Sequence, residues 1–207
     1  GGQVAASAPR RRTQEERSAT TQEKLACAAF ELIRDQGYAN FRVASVAKHA
    51  GVSQGGQLHH FPTKDDMTKA VIDYAIDKAR CVADENLAKY KATKNIVMAI
   101  AEDSRDYYFS ASFDVAMDIT KGSVGNKEMR RFIANAHRDF RGFAENEWRA
   151  HLDKQGWSDA DAEDLIAMTS SLVRGFAIRA MIRPDDQQLR RVLKRWQKMV
   201  ELSFQKD

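Results

Sequence analysis

The spacing of the apolar residues constrains the fold of this chain more than any other feature of its sequence. Leu25, Ala28 and Leu32, with their neighbours, recur at intervals of three and four residues, which places side chains on one face of a helix. No segment alternates apolar and polar residues as a half-buried strand does. Only three of the 207 residues are proline, the residue that most often interrupts a helix. The pattern predicts an all-α fold of about nine helices.

Glycine, proline and capping residues give approximate bounds for these helices. Thr63 followed by Asp66, for example, forms a capping-box pattern at the start of a long helix. The predicted helices span about 20–37, 43–51, 53–62, 63–90, 95–109, 113–119, 127–152, 158–183 and 184–200.

The positive charge of the chain is concentrated near its beginning. The sequence has 33 Lys and Arg against 29 Asp and Glu, a net charge of +4. Residues 1–64 contain nine of the basic and five of the acidic residues, so the remaining 143 residues contain 24 of each. This asymmetry predicts a basic region that contacts a polyanion and a larger, neutral body. Residues 1–19 are predicted to be a flexible basic arm, either solvated or in contact with phosphates.

Composition and motifs exclude several other classes of protein. Cys27 and Cys81 form neither a disulfide framework nor a zinc-ligand pattern. The most apolar window, Leu165–Ile182, contains Arg174 and Arg179, so we expect no membrane span. The lack of an apolar signal peptide favours a cytoplasmic protein. Walker, Gly-x-Gly-x-x-Gly and Glu-x-x-His motifs do not occur, and we expect no enzyme activity, no cofactor and no metal.

The most informative stretch runs from Val43 to Lys64, with the sequence VASVAKHAGVSQGGQLHHFPTK. It contains two short amphipathic helices joined by Gly51, Val52 and Ser53, the arrangement of a helix-turn-helix. Glycine permits a left-handed turn between the helices, and serine can cap the first turn of the second helix. The stretch is therefore a predicted DNA-binding element.

The second helix of this element has a polar first turn without a packing role that the sequence reveals. Gly55 and Gly56 each cost about 1 kcal/mol relative to alanine in a helix, which suits a surface that DNA must approach closely. The amides of Gln54 and Gln57 can bond adenine N6 and N7 in a major groove. Lys64, at the start of the next helix, is well placed for a phosphate because the helix dipole assists it.

His59 and His60 raise the question of a metal site. Adjacent residues on a helix point about 100° apart, and no Cys, Asp or Glu four residues further on completes a ligand set. We expect at least one of the two histidines to contact a phosphate or a base instead.

From Leu25 to Tyr74 the chain resembles the DNA-binding domain of the TetR family of bacterial transcriptional regulators. The similarity rests on three segments in order, LACAAFELIRDQGY, VASVAKHAGVS and HHFPTKDDM. The resemblance implies a two-fold dimer that binds a palindromic double-stranded DNA operator and releases it when a small molecule binds. After the arm predicted over residues 1–19, it implies a helix-turn-helix domain over 20–66 and a ligand-binding and dimerisation domain over 67–207.

The resemblance also identifies the residues predicted to contact DNA, with several departures from the family pattern. Leu58 replaces the usual tyrosine, Gln57 replaces a leucine, and Arg42 replaces a threonine but can still meet a phosphate. The predicted DNA-binding residues are Arg42, Ser53, Gln54, Gly55, Gly56, Gln57, Leu58, His59, His60 and Lys64.

Two apolar helices near the end of the chain predict self-association. Leu165–Ile182 is apolar around most of its circumference, and Gly175 permits close approach of another helix. Two such helices from each subunit would form a four-helix interface, and the alternative is burial within one subunit. The predicted interface residues are Leu165, Leu172, Phe176, Leu189, Val192, Trp196 and Met199.

Aromatic and methionine residues of the central helices form a predicted pocket for a largely apolar effector, although such stripes also form ordinary cores. The predicted pocket residues are Met98, Tyr108, Phe109, Phe113, Met117, Phe140, Phe143, Met168, Leu172 and Phe176. Asp114 and Asp118 share a helix face and would either orient a polar ligand group or lie in solvent. The sequence thus predicts a ligand-responsive repressor. The alternative is a DNA-binding regulator without a small-molecule ligand, controlled by a partner protein or by its abundance.

Overall fold

The computed structural model of the protein describes residues 13–204, and over this range the chain is helical with short connections. The α-helices within it are α1 (Gln14–Gln36), α2 (Val43–Ala50), α3 (Gln54–His60), α4 (Lys64–Lys91), α5 (Ile96–Tyr108), α6 (Ala111–Gly122), α7 (Lys127–Asp153), α8 (Asp159–Ala180) and α9 (Asp186–Ser203). A 3₁₀ turn, Tyr38–Asn40, precedes α2. No strand occurs in the described range, and the predicted all-α fold of about nine helices is confirmed.

The first helix begins at Gln14, so the prediction of a flexible arm is wrong for residues 14–19. Thr13 Oγ1 accepts a hydrogen bond from Glu16 N at 3.1 Å, and the Glu16 carboxylate accepts one from Thr13 N at 2.8 Å. This capping box satisfies N–H groups that a helix end leaves unpaired. The sequence prediction began the helix near residue 20, where the apolar residues start to recur. The capping box instead begins the helix at Gln14, so its first turns are mostly exposed. Residues 1–12 of the predicted arm lie outside the described residues.

The turn of the helix-turn-helix forms as its residues predict. Gly51 ends α2 in the left-handed region, with a φ of 67°, where a side chain would be strained. Ser53 Oγ accepts a hydrogen bond from Gly56 N at 3.1 Å and caps α3. Thr63 and Asp66 form the predicted capping box at the start of α4. These local contacts set where α3 and α4 begin.

The DNA-binding segment and the rest of the protein share one hydrophobic core. Leu25 of α1 packs with Met67 and Val71 of α4, and Val115 and Ile119 of α6 are buried in the same cluster. From this cluster α4 continues for 28 residues into the body of the molecule. The predicted domain boundary near residue 66 therefore falls within one shared hydrophobic core.

Two further cores stabilise the body, which consists of α5–α9. One packs Tyr107 and Phe113 against Phe140. The other surrounds Trp148, whose Nε1 donates to the carboxylate of the buried Asp103 at 2.8 Å. The helix α4 contacts α1, α5, α6 and α7, and so connects the two parts of the molecule. Among the helices of residues 13–204, none combines the length and the apolar character needed to cross a membrane.

Candidate functional site

The outer face of α3 presents polar and aromatic side chains to solvent. Gln54 and His59 are exposed, and the Gln54 side chain has no hydrogen-bond or ion-pair partner among residues 13–204. Leu58 is 54% exposed. The half-buried His60 ring lies edge to face with that of His59, at 5.2 Å between centroids. A β-carbon at Gly55 would meet no atom within 4 Å, so this face is open to a partner.

The two glycines of α3 have different surroundings. A β-carbon at Gly56 would lie 3.1 Å from Ser53 Oγ and 3.2 Å from Val52 Cγ1, which is tighter than ordinary van der Waals contact. Gly56 is therefore explained by packing against the cap, whereas Gly55 leaves room for close approach of DNA. Ser53 is exposed, but its hydroxyl oxygen already accepts the capping hydrogen bond.

Gln57 is 2% exposed, so the prediction that it contacts DNA is wrong. Its Nε2 donates to the carbonyl oxygen of Phe61 at 3.0 Å and ties down the end of α3. A buried amide needs such a partner, because an unpaired polar group inside a protein is costly. The sequence prediction relied on the residue type, and the residue type alone does not show whether a glutamine side chain is buried or exposed.

Lys64 lies over an aromatic surface at the first turn of α4. Its Nζ is 4.6 Å from the centroid of the Tyr38 ring and 5.7 Å from that of Phe41, within the range of cation–π contacts. The neighbouring acids Asp65 and Asp66 bond to other residues. Lys64 is exposed and forms no ion pair among the described residues, so its charge remains available to a phosphate.

Arg42, immediately before α2, has its guanidinium held by the backbone. Nη1 donates to the carbonyl oxygens of Ala39 and Phe41, each at 3.0 Å. The side chain is exposed, which leaves its other N–H groups accessible. Arg42 and Lys64 thus add two cations, at the starts of α2 and α4, to the polar face of α3.

A contact distant in sequence joins this surface to α6. The backbone N–H of Tyr38 donates to Asp118 Oδ2 at 2.5 Å, and the Tyr38 hydroxyl lies 3.3 Å from Thr68 Oγ1. A β-carbon at Gly122 would overlap the Tyr38 ring, so α6 approaches the ring as only glycine permits. Asp118, predicted to orient a ligand or lie in solvent, instead holds the turn between α1 and α2. Asp114, one helical turn earlier, is exposed.

A cavity of about 530 Å³ lies between α4, α5, α6, α7 and α8. This volume is within the usual range for small-molecule sites, and most of the wall is apolar. The lining residues are Ile72, Ile76, Tyr107, Phe113, Ala116, Met117, Thr120, Arg130, Ile133, Ala134, His137, Arg174 and Ile178.

Phe113 and Met117 are the predicted pocket residues that line this cavity. The others do not line it, because its wall comes from five helices whose packing the sequence prediction did not specify. They divide into the buried core residues Tyr108 and Phe140, the half-buried Met98, Leu172 and Phe176 beside that core, and the exposed Phe109, Phe143 and Met168.

Three basic side chains contribute to the cavity wall, and the sequence prediction missed all of them. Arg130 and His137 lie on α7, about two turns apart, and Arg174 lies on α8. Partial burial lowers the pKa of His137, and the charges of Arg141 and Arg174 lower it further. Burial raises the pKa of Tyr107 to about 12, so its hydroxyl stays protonated at neutral pH. The available signal was Arg174, one of two cations in the otherwise largely apolar segment Leu165–Ile182.

The last two helices expose an apolar surface that only partly matches the prediction. Leu165 and Leu189 are 0% and 1% exposed within the protomer, so their assignment to an interface is wrong. Trp196 is half-buried and its Nε1 donates to Thr169 Oγ1 at 2.9 Å; Leu172, Phe176 and Val192 are also half-buried, and Met199 is exposed. The large apolar side chains exposed from α8 onward are Met168, Ile178, Met181, Ile182, Met199 and Leu202.

In the helix-turn-helix, α3 has an open polar face, and the cations Arg42 and Lys64 lie at the starts of the neighbouring helices. These features define a DNA-binding protein of the helix-turn-helix class. Residues 27–71 match the profile of bacterial regulatory proteins of the tetR family. Over 184 residues the chain is 33% identical to the HTH-type transcriptional regulator CymR from Pseudomonas putida, covering 89% of this chain and 91% of CymR. The chain therefore belongs to the TetR family of bacterial transcriptional regulators, which bind DNA and are not enzymes.

Solved structures show the same fold at low sequence identity. A TetR transcription regulator from Haloarcula marismortui has a TM-score of 0.68 and 18% identity, covering 90% of this chain and 100% of that chain. A transcriptional regulator from Saccharomonospora viridis, determined in complex with choline, has a TM-score of 0.66 and 17% identity, covering 90% and 98%. Because both matches span nine-tenths of this chain, the shared fold includes the body as well as the helix-turn-helix.

Proposed function

We propose that the protein is a ligand-responsive repressor, which binds a palindromic operator as a dimer and releases it when a small molecule enters the cavity between α4 and α8. The position of α6 carries this proposal. Phe113 and Met117 on this helix line the cavity, while Asp118 and Gly122 contact Tyr38 ahead of α2. One helix of 12 residues thus touches both the ligand space and the DNA-binding segment.

In this proposal α3 enters the major groove of the operator. Gln54 donates to and accepts from an adenine edge, and the exposed Leu58 packs on a thymine methyl group. His59 contacts a phosphate or a base. Arg42 and Lys64 bind phosphates, which fix the position of the protein on the duplex, whereas the base contacts determine the sequence that it prefers.

The exposed apolar side chains near the end of α8 support a two-fold dimer. Ile178, Met181 and Ile182, which lie within five residues of one another, are 43%, 46% and 90% exposed, and exposed apolar side chains grouped in this way are typical of an interface. Helices α8 and α9 of two protomers would pack as a four-helix interface. The two α3 helices would then bind half-sites about 34–36 Å apart, or a multiple of that distance.

Release of the operator follows from movement of α6. A ligand that displaces Phe113 or Met117 shifts this helix and alters the contact between Asp118 and Tyr38. Since the Tyr38 ring lies 4.6 Å from Lys64 Nζ, the shift also moves a phosphate-binding side chain. Both half-sites must be bound together, so a displacement of a few ångströms is sufficient. The choline complex of the Saccharomonospora viridis regulator supports a small-molecule site within this fold.

The first experiment is selection of DNA from a random pool by the full-length protein. We expect an inverted repeat that binds two protomers, and the dissociation constant is measured by fluorescence anisotropy at a fixed salt concentration, because phosphate contacts make it salt-dependent. A selected site without two-fold symmetry, or a complex with one protomer, would contradict the dimer.

The second experiment tests ligand response. Small molecules are screened for an increase in melting temperature, which reports binding to the folded state, and each stabilising compound is added to the operator complex. We expect at least one compound to weaken operator binding about tenfold or more, a coupling of about 1.4 kcal/mol. If no compound stabilises the protein, or if stabilising compounds leave the operator affinity unchanged, the regulator is controlled by other means.

A further inference from the structure

The charge in the wall of the cavity is of one sign. Arg130, His137 and Arg174 line it, and none of the described residues that line it is acidic. Among residues 13–204, none of these three side chains forms an ion pair. The hydrogen bond that the Arg174 guanidinium makes there is a contact of Nη2 with Ser171 Oγ at 3.3 Å. The cavity wall therefore contains cations without counter-ions.

These cations are placed unevenly around the cavity. Arg174 is close enough to His137 to lower its pKa, and the His137 ring lies 6.3 Å from the Tyr107 ring, centroid to centroid. His137 and Arg174 thus form one polar end beside the Tyr107 ring. The wall formed by α4 is apolar and consists of Ile72 and Ile76. A molecule that fills the cavity contacts both kinds of surface, so it must have a polar end and an apolar body.

We propose that the effector is a small organic acid whose carboxylate pairs with Arg174 and His137 and whose apolar body packs against Phe113 and Met117. This inference rests on the proposed ligand-responsive function and adds the charge class of the ligand. Arg174 is exposed, with its guanidinium 5.9 Å from the centroid of the Tyr108 ring, and an acid in the cavity supplies the counter-ion that it lacks among the described residues. The planar guanidinium also binds a carboxylate through two parallel hydrogen bonds, and either protonation state of His137 can donate one more.

A cationic effector does not fit this cavity, because Arg130 and Arg174 would repel it. A groove of about 800 Å³ between α1 and α4 has the opposite balance of charge, because Glu23, Asp73 and Asp77 line it together with Lys78. That groove does not involve α6, so a compound bound there would not press on the helix that contacts Tyr38.

The test compares compounds that share a skeleton and differ in charge. The dye 1-anilinonaphthalene-8-sulfonate is an anion, and N-phenyl-1-naphthylamine is its neutral parent; both fluoresce in apolar surroundings, so each is titrated directly into the full-length protein. Naphthalene-2-carboxylate and naphthalene-2-carboxamide form a second pair, measured by displacement of the bound dye. Because a hydrogen bond to a charged group contributes about 1.5–3 kcal/mol, we expect each acid to bind about tenfold or more tightly than its neutral partner.

Variants of the cavity wall assign this preference to particular side chains. Arg174→Gln should weaken both acids about tenfold and change the affinity for the neutral compounds by less than about twofold. Arg130→Gln should weaken the acids by a smaller factor, because Arg130 is about two turns from His137 and acts at longer range. Arg138→Gln, on the same helix but outside the lining, is the matched control and should change neither. Ala134→Trp, which fills part of the cavity, should remove the dye and so locate it.

Several results would overturn the inference. They are equal or tighter binding of the neutral compounds, an acid preference that Arg174→Gln leaves intact, dye binding that survives Ala134→Trp, and no binding by any of the four compounds at millimolar concentration. None of these results decides whether the protein is ligand-responsive, because a neutral compound from the stabilisation screen could still release the operator. The proposed function fails separately, if compounds that occupy the cavity leave operator binding unchanged.

Discussion

The DNA-binding surface and the cavity are both basic, but they are assembled in different ways. The surface forms from residues 53–64, where the capping contacts of Ser53 and Thr63 reach only three residues along the chain. The cavity takes its wall from five helices, and its connection to the surface, between Tyr38 and Asp118, spans 80 residues. Local rules of capping therefore specify the surface, whereas only the packing of α4–α8 specifies the cavity.

The two regions also differ in the number of charges that a bound partner would bring to them. Lys64 and Arg42 are exposed side chains beside an open helix face, where salt screens them and where DNA binding releases counter-ions. Arg174 and His137 are exposed as well, but they line a largely apolar cavity, where one small acid would meet one or two charges and release few counter-ions. DNA affinity should thus depend steeply on salt and ligand affinity much less. Changes in one region should be visible in one measurement and not in the other.

Lys64→Ala should have the largest effect, and it should be confined to DNA binding. The variant loses one phosphate contact per protomer, so it weakens binding to all DNA sequences alike. The slope of log affinity against log salt should decrease by about one unit per protomer. Fluorescence anisotropy over a salt series measures both effects. Lys89→Ala, an exposed lysine at the other end of α4, is the control, and a Lys64→Ala slope equal to that of this control would exclude the phosphate contact.

Asp118→Ala should break the connection between the two regions. It leaves the Tyr38 N–H without its acceptor, which should destabilise the fold by about 1–3 kcal/mol in urea unfolding. Ligand should still bind the cavity, but its effect on operator affinity should be lost. Asp114→Ala, one turn earlier on α6 and exposed, should retain both stability and response. If ligand weakens operator binding by Asp118→Ala as much as it does for the unaltered protein, α6 does not transmit the signal through Tyr38.

The same distinction explains which features the sequence could predict. The bounds of α2 and the positions of Gly51 and Ser53 depend on residues within a few positions, and these predictions match the structure. The aromatic residues of the body are alike in type, yet Phe113 lines the cavity and Phe143 lies on the outer surface, because their neighbours come from other helices. The prediction that Gln57 contacts DNA was wrong for the same reason, because the burial of this side chain depends on how α3 packs against the rest of the domain.

Substitutions of Gln54 and Gln57 distinguish the exposed face of α3 from its buried face. Gln54→Ala should reduce discrimination at one base pair of each half-site by about 1–3 kcal/mol, because its exposed amide contacts a base edge. Gln57→Leu should leave base preference unchanged, because its amide is directed to Phe61 O inside the protein. Both are measured with single-base variants of the selected operator. A change of base preference in Gln57→Leu would place that side chain in the groove and reverse the assignment.

The smallest expected effect is a change in how stability depends on pH, and it isolates the cavity from the DNA surface. The pKa of His137 is lowered from its usual 6.5 in the folded protein, chiefly by burial and then by Arg141 and Arg174. Just below pH 6.5 the unfolded chain therefore binds more protons than the folded one, and the free energy of unfolding falls as the solution becomes more acidic. His137→Gln should make this fall shallower below about pH 6.5, with the remaining slope including His151, whose pKa burial also lowers. Because an acid bound beside His137 favours its protonated form, saturating naphthalene-2-carboxylate should flatten the same slope in the unaltered protein and not in His137→Gln. Urea unfolding at a series of pH values measures the slopes, and an equal effect of the acid on both proteins would place it away from His137.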